Sequence, residues 1–230
     1  MEQPLSDAVI DALSIDCLIF GFKNGKLDIL LVKHGEGISK GKWALPGGWI
    51  QYNESMDDAA TRILTALTGV SNIYLEQIKA FGDVNRYPTK RVVTVAYFAL
   101  VNVENYELHA GFTASDAQWF NIHDVPPLPY DHGAILDFGF RFLKHKVQHE
   151  PIGFNLLPKK FTLLHLQELY EAILETKMDK PNFRRKLMNM NLLVSCNEKQ
   201  KDVAHRAAKL YRFDKKVYHK LTEKGFTFEV

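Results

Sequence analysis

The stretch from Gly41 to Val70 constrains this chain more than any other. It opens with a tight loop, Trp43-Ala44-Leu45-Pro46-Gly47-Gly48. A segment follows whose apolar residues Met56, Ala59, Ala60, Ile63, Leu64 and Leu67 recur at the i, i+3, i+4, i+7 spacing of a helix with one apolar face, over about Ser55 to Thr68. Such a helix is stable only when its stripe lies on another layer. The flanks supply that layer. Residues 12–22 alternate and are β-rich, Asn24-Gly25 is a hairpin turn, and Leu27 to Val32 returns. Further strands are predicted over Ile73 to Phe81 and Arg91 to Val101, with a shorter one ending at Trp119-Phe120. A second helix is predicted over about Gly133 to Lys146. Strands and helices in this mixed order predict an α+β fold, a sandwich of helices on a sheet.

The spacing inside the stretch is specific. Gly48 is followed after six residues by Glu54 and after eight more by Arg62; Leu64 is aliphatic, and Gly69-Val70 close the run. This resembles the Nudix box, G-x5-E-x7-R-E-U-x-E-E-x-G-U with U aliphatic, and the resemblance covers about residues 10–145. It implies a Nudix-like α/β/α sandwich. In the hydrolases of that family three glutamates follow the arginine on one helix face. They hold Mg²⁺, which takes oxygen ligands and serves the attack of water on a diphosphate. Here those positions are Ile63, Ala66 and Leu67, which have no side-chain oxygen. The expectation is a domain with no metal, no cofactor and no enzymatic activity. Asp57 and Asp58 read as first-turn acids of the helix, and Glu54 with Arg62 as a pair that ties loop to helix.

A pocket that no longer cleaves can still bind. The residues expected to line it are Trp43, Gly47, Gly48, Asp83, Arg86, Arg91, Asp131 and His132. Asp83 to Pro88 is a polar loop before an apolar strand, where binding groups often sit. Each of these residues also has an ordinary alternative, a cap or an ion pair; Asp131 could simply be an N-cap.

With 230 residues, 46% of them hydrophobic, the chain has room for two small domains. A seam at about 147–160, with Pro151, Gly153 and Pro158, places domains at 1–148 and 155–230. Residues 151–230 carry 16 basic and 9 acidic side chains, a balance of +7, whereas residues 1–150 carry 13 and 18, a balance of −5. The split directs only the second part toward a polyanion. There, Thr162 caps an amphipathic helix over Leu163 to Glu175, a turn over Thr176 to Pro181 follows, and a basic segment, Asn182 to Met190, comes next. Phe183, Leu187 and Met190 share one face of it. Helix, turn and basic helix form the helix-turn-helix arrangement, whose second helix enters a major groove. Leu192 to Cys196 and Leu210 to Phe213 read as the strands of a wing, Lys215 to Lys224 as a last helix, and Phe226 to Glu229 as an edge strand.

This half resembles the C-terminal domain of the Nudix-related transcriptional regulators, through Lys159-Lys160-Phe161-Thr162-Leu163, Asn182 to Lys186, and Ala208 to Phe213. The resemblance implies a dimer that binds operator DNA through a winged helix-turn-helix and responds to an effector in the Nudix-like domain. The DNA-contacting residues are expected among Lys160, Thr162, Lys180, Asn182, Arg184, Arg185, Lys186, Asn189, Lys201 and Arg206. Arginine can read guanine and asparagine adenine. Members of the family regulate NAD synthesis or sugar catabolism. Since a diphosphate normally relies on bound metal, the preferred reading is a repressor of sugar catabolism with a pentose such as L-arabinose as effector. A regulator of NAD metabolism sensing ADP-ribose is the alternative. An active hydrolase with an accessory basic domain and an adaptor built on an inactive enzyme remain further readings. Cys17 and Cys196 lie far apart and in no metal-ligand spacing, the N-terminus has no secretory pattern, and no apolar run could cross a bilayer, so a cytoplasmic protein without membrane partners is expected.

Overall fold

A computed structural model describes residues 12–201, 207–224, 226 and 228. Seven strands form one sheet: β1 (Leu13–Lys23), β2 (Lys26–His34), β3 (Trp43–Ala44), β4 (Gly47–Trp49), β5 (Glu76–Phe81), β6 (Val93–Asn102) and β7 (Ala114–Asn121). The main order is β3-β2-β1-β6-β5, with β4 also paired to β1 and β7 to β2. Asn24 and Gly25 both take positive φ, 52° and 73°, as the two-residue turn between β1 and β2 requires.

Two helices cover this sheet, α1 (Met56–Thr68) and α2 (His132–His149). Their placement follows from two adjacent residues of β1. The Cys17 thiol points at the Ala60 carbonyl of α1, 4.0 Å away. Leu18 lies against Gly139 of α2, where a side chain would collide with it. Neighbouring residues of a strand face opposite ways, so the helices lie on opposite faces and the layers are α/β/α. This explains why Ile15 to Phe22 of β1 are buried without alternation. Helix α1 buries Ala59, Ala60, Ile63, Leu64 and Leu67; Met56, grouped with them from the sequence, is 41% exposed. Ser55 caps its start, accepting from the Asp58 N–H, and Gly69 ends it at φ 76°.

The C-terminal elements are α3 (Leu163–Leu174), α4 (Lys180–Asn189), β8 (Leu193–Lys199), β9 (Lys209–Phe213) and α5 (Lys215–Thr222). Helix α4 starts two residues earlier than its pattern suggests, because Asp179 caps it and Pro181 fits the first turn, where its missing N–H costs nothing. Strands β8 and β9 form an antiparallel hairpin, and Phe161 exchanges two backbone hydrogen bonds with Tyr211 beside it. The core here holds Leu166, Leu169, Tyr170, Ile173, Phe183 and Leu187, with Phe154 stacked on Phe213 at 4.3 Å. The expected edge strand at Phe226 to Glu229 falls partly outside the described residues, and Phe226 and Phe228 are in no strand.

The chain divides into two compact units, one of residues 1–20, 28–99 and 104–140, the other of residues 21–27, 100–103 and 141–230. Residues 141–148, assigned from the sequence to the first domain, therefore pack with the second unit. Among the described residues no helix is long and apolar enough to cross a membrane.

Candidate functional site

The first unit contains a cavity of about 440 Å³. Ile63, Ala66 and Leu67 of α1 line one side of it, so the face that would carry acids in a hydrolase is apolar wall here. The two other acids of the helix are already engaged. Asp57 Oδ1 accepts from the Tyr97 hydroxyl at 2.5 Å, and Asp58 accepts from Ser55 Oγ at 2.7 Å. Burial, then this bond to Asp57, pushes the Tyr97 phenol upward. Glu54 takes two bonds from Arg62, at 2.7 and 2.6 Å, and one from the Gln51 N–H, while Arg62 also donates to the Trp49 carbonyl. The hydrogen bond from Arg62 lowers Glu54 to a pKa of about 2. This pair ties the loop to the helix.

Opposite α1 lies a buried charge cluster. Arg86 is 7% exposed. It donates two bonds to Asp131, at 2.9 and 2.7 Å, and one of 3.3 Å to Asp16. Asp16 stands directly across from Gly47 in the β1–β4 pairing, and a side chain at 47 would collide with its carboxylate. His132 Nδ1 accepts from the Leu45 N–H at 3.1 Å, so that nitrogen carries no proton. The ring's proton then sits on Nε2, 3.4 Å from Asp16 Oδ1. His34 lines the same cavity; burial, then the neighbouring His132, holds its imidazole below the ordinary value, and its Nε2 has no hydrogen-bond partner among the described residues. Aromatic rings complete the wall: Trp49 meets Tyr87 at 5.7 Å, Tyr87 meets Tyr130 at 5.0 Å, and Phe112 lies on the rim. A second hollow, lined by Ile38, Ser39, Lys42, Asp83 and Asn85 among others, shares Arg86 and Tyr130 with the first.

Of the residues expected to bind effector, Gly47, Gly48, Arg86 and His132 come together on the cavity, and Asp83 and Asp131 line the neighbouring hollow. Trp43 and Arg91 line neither. Trp43 packs edge-on to Phe120 at 4.8 Å, and Arg91 is spent on the carbonyls of Gly82 and Asp83. Asp16, Trp49, Tyr87 and Tyr130 were missed. Asp16 had a signal, a lone acid inside an otherwise apolar strand.

In the second unit, α4 turns Phe183 and Leu187 inward and leaves Lys180, Asn182, Arg185, Lys186 and Asn189 exposed. The turn before it is stapled by Glu171. Its carboxylate accepts from Gln167 Nε2 at 2.9 Å, the Met178 N–H at 2.9 Å and Lys177 at 3.0 Å. Those bonds, that from Gln167 first, hold Glu171 at a pKa of about 2. Three expected contact residues are placed differently. Thr162 is 2% exposed and caps α3 through the His165 N–H, so it is unavailable to a partner. Lys160 is paired with Glu198 at 2.7 Å. Arg184 is half-buried, its Nε shut off from solvent without a hydrogen-bond partner among the described residues. Lys201 is exposed beside the hairpin, and Arg206 lies outside the described residues.

Comparison with known proteins places both units. Residues 11–137 match the NUDIX domain and residues 153–213 the NrtR DNA-binding winged helix domain. The chain is 32% identical, over 90% of its length and 84% of the relative's, to the ADPR responsive transcriptional repressor NtrR of Acinetobacter baylyi. It belongs to the NrtR-type, Nudix-related transcriptional regulators. Among solved structures, this regulator is similar to Shewanella oneidensis NrtR complexed with a 27mer DNA, at 26% identity and a TM-score of 0.76, over 94% of this chain and 97% of that one. It is also similar to the NUDIX domain of the same protein complexed with ADP ribose, at 29% identity and a TM-score of 0.56, over 62% of this chain and 94% of that one. One of these relatives is named as ADPR responsive and the other is solved with ADP ribose, so the preference for a pentose gives way to the alternative. That preference assumed that a diphosphate must be held by metal, and it gave no weight to aromatic walls that suit a nucleobase.

Proposed function

We propose that this regulator is a transcriptional repressor whose first unit binds ADP-ribose without cleaving it and whose second unit binds operator DNA. The observation that carries the reading is the cavity itself. Its aromatic side suits a flat base, and its α1 side lacks the oxygens that would hold Mg²⁺. Its volume of about 440 Å³ exceeds what one pentose fills, within the range of about 300–1,000 Å³ of small-molecule pockets. The likeness to two ADP-ribose-linked relatives supports the same effector. With Asp57 and Asp58 committed to Tyr97 and Ser55, no acid of α1 is left to replace the missing ligands.

On the DNA side, Arg185, Asn182, Lys186 and Asn189 are the proposed readers, Lys180 and Lys201 phosphate contacts. Two copies acting as a dimer would read half-sites about one or two helical turns apart. We assign sensing to residues 1–148 and DNA binding to 155–230, with residues 141–148 packed in the second unit.

Calorimetry with ADP-ribose, L-arabinose and D-xylose tests the effector, and the same ADP-ribose mixture with Mg²⁺ is followed for AMP and ribose 5-phosphate. Binding of ADP-ribose alone, with the nucleotide recovered intact, is the expected result. Sugar binding without ADP-ribose binding would return the effector to the pentoses, and steady Mg²⁺-dependent cleavage would make the first unit an enzyme.

A further inference from the structure

Seven non-glycine residues of the described chain have positive φ: Asn24, Asn72, Phe112, Tyr130, Glu175, Asn191 and Asn197. Four are asparagines, which tolerate this region, and Glu175 is the cap that ends α3. The remaining two are aromatic, and both line the effector cavity. Tyr130 has a structural reason for its place, since its hydroxyl accepts from Ser39 and its ring meets Tyr87. Phe112 has none. It sits at φ 54°, is 84% exposed, and meets no other ring among the described residues. A left-handed backbone at a residue with a Cβ opposes folding, and a ring left in water returns no burial energy to offset it; glycine would avoid the strain.

The loop that displays Phe112 is held firmly. The His109 N–H donates to the Thr68 carbonyl at the end of α1, and the Gly35 N–H donates to the Thr113 carbonyl at 2.8 Å. Glycines allow both approaches: a Cβ at Gly111 would stand 2.8 Å from the Ala66 carbonyl oxygen, and one at Gly35 2.9 Å from that of Thr113. Phe112 is therefore a ring presented at the cavity rim by a rigid support. Strain of this kind at an exposed residue on a cavity is typical of binding sites.

We infer that Phe112 is a stacking residue of the effector cavity, its ring closing on the planar heterocycle of the nucleotide. The inference rests on the reading of the effector as ADP-ribose. Aromatic stacking on a base suits this position because it needs only an exposed π-face and a fixed orientation. Trp49, Tyr87 and Tyr130, already in contact with one another, form the other aromatic part of the same cavity.

The test measures ADP-ribose affinity and melting temperature for the full-length wild type, Phe112→Ala and Phe112→Tyr. Phe112→Ala is expected to bind about 5- to 100-fold more weakly, the loss that removal of a stacked aromatic brings. Its melting temperature should stay level, since the ring is 84% exposed and alanine keeps the same Cβ and backbone strain. Phe112→Tyr should bind within about twofold of wild type, because it keeps the π-face. Equal binding by all three proteins would overturn the role of Phe112 while leaving the effector intact. Weaker binding of Phe112→Ala together with a lowered melting temperature would make the residue structural and also overturn the role. Failure of the wild type to bind ADP-ribose would overturn the effector reading and the stacking role together.

Discussion

Helices α1 and α4 are both amphipathic, yet they use their polar residues in opposite ways. On α1 the polar groups are tied down within the first unit: Asp57 to Tyr97, Asp58 to Ser55, Arg62 to Glu54 and the Trp49 carbonyl. On α4 only Phe183 and Leu187 are buried, Arg185 bonds to Asn182 of its own helix, and among the described residues neither Arg185 nor Lys186 has an ion-pair partner. The difference separates polar residues that hold a fold from polar residues that await a partner. A charged residue on α1 should therefore matter to stability, and one on α4 to binding.

The same contrast is sharpest between a charge of the buried cluster opposite α1 and one on α4, Arg86→Ala against Arg185→Ala. Arg86 lies between two carboxylates and is almost wholly buried. Its loss leaves uncompensated buried charge and should lower unfolding stability by about 3–5 kcal/mol, read by denaturant titration. Arg185→Ala should leave that titration unchanged and weaken operator binding by about 1–3 kcal/mol. Arg184→Ala, at a half-buried position, should weaken it less; the reverse order of the two arginines would break the assignment of the reading face. A smaller effect of opposite sign is expected inside the second unit. Tyr170 is fully buried and its hydroxyl has no hydrogen-bond partner among the described residues. Tyr170→Phe removes that orphan group and should raise stability by about 1 kcal/mol.

The smallest effect concerns pH. Glu54 is held at about 2, below its ordinary value of 4.5. A carboxylate lowered in the folded state stabilises fully above its unfolded pKa and loses that contribution as pH falls. The wild type should thus exceed Glu54→Gln in melting temperature above about pH 4.5, and the gap should close as pH falls toward 2. A gap independent of pH would show that the clamp does not work through the charge of Glu54.

Much of this arrangement is legible in sequence because it is local. Helix α1, its glycine stop and its apolar metal positions follow from spacing, and the hairpin turn at Asn24-Gly25 from residue type. The basic helix is equally legible, although its start at Lys180 depends on the Asp179 cap. What escapes is long-range. Asp16, Arg86 and Asp131 meet from three separate segments; the lone acid of β1 marks Asp16, but nothing local names its partners. Trp43 was misplaced because the loop that carries it does line the cavity, whereas its own side chain turns away to Phe120. Strand β4 hides in a glycine pair whose lack of side chains makes room for Asp16. The preference for a pentose over ADP-ribose gave way for a chemical reason: missing metal ligands weigh against a diphosphate, but aromatic rings can hold a base without metal.

The central claim is that ADP-ribose in the first unit changes the hold of the second on DNA. The most direct measurement is the affinity of the full-length protein for operator DNA, selected from the source genome, with and without saturating ADP-ribose at fixed salt. Coupling between distinct sites typically amounts to about 1–3 kcal/mol. The affinity should therefore shift by about 5- to 150-fold, with the nucleotide recovered uncleaved. An unchanged affinity despite demonstrated ADP-ribose binding would contradict the account.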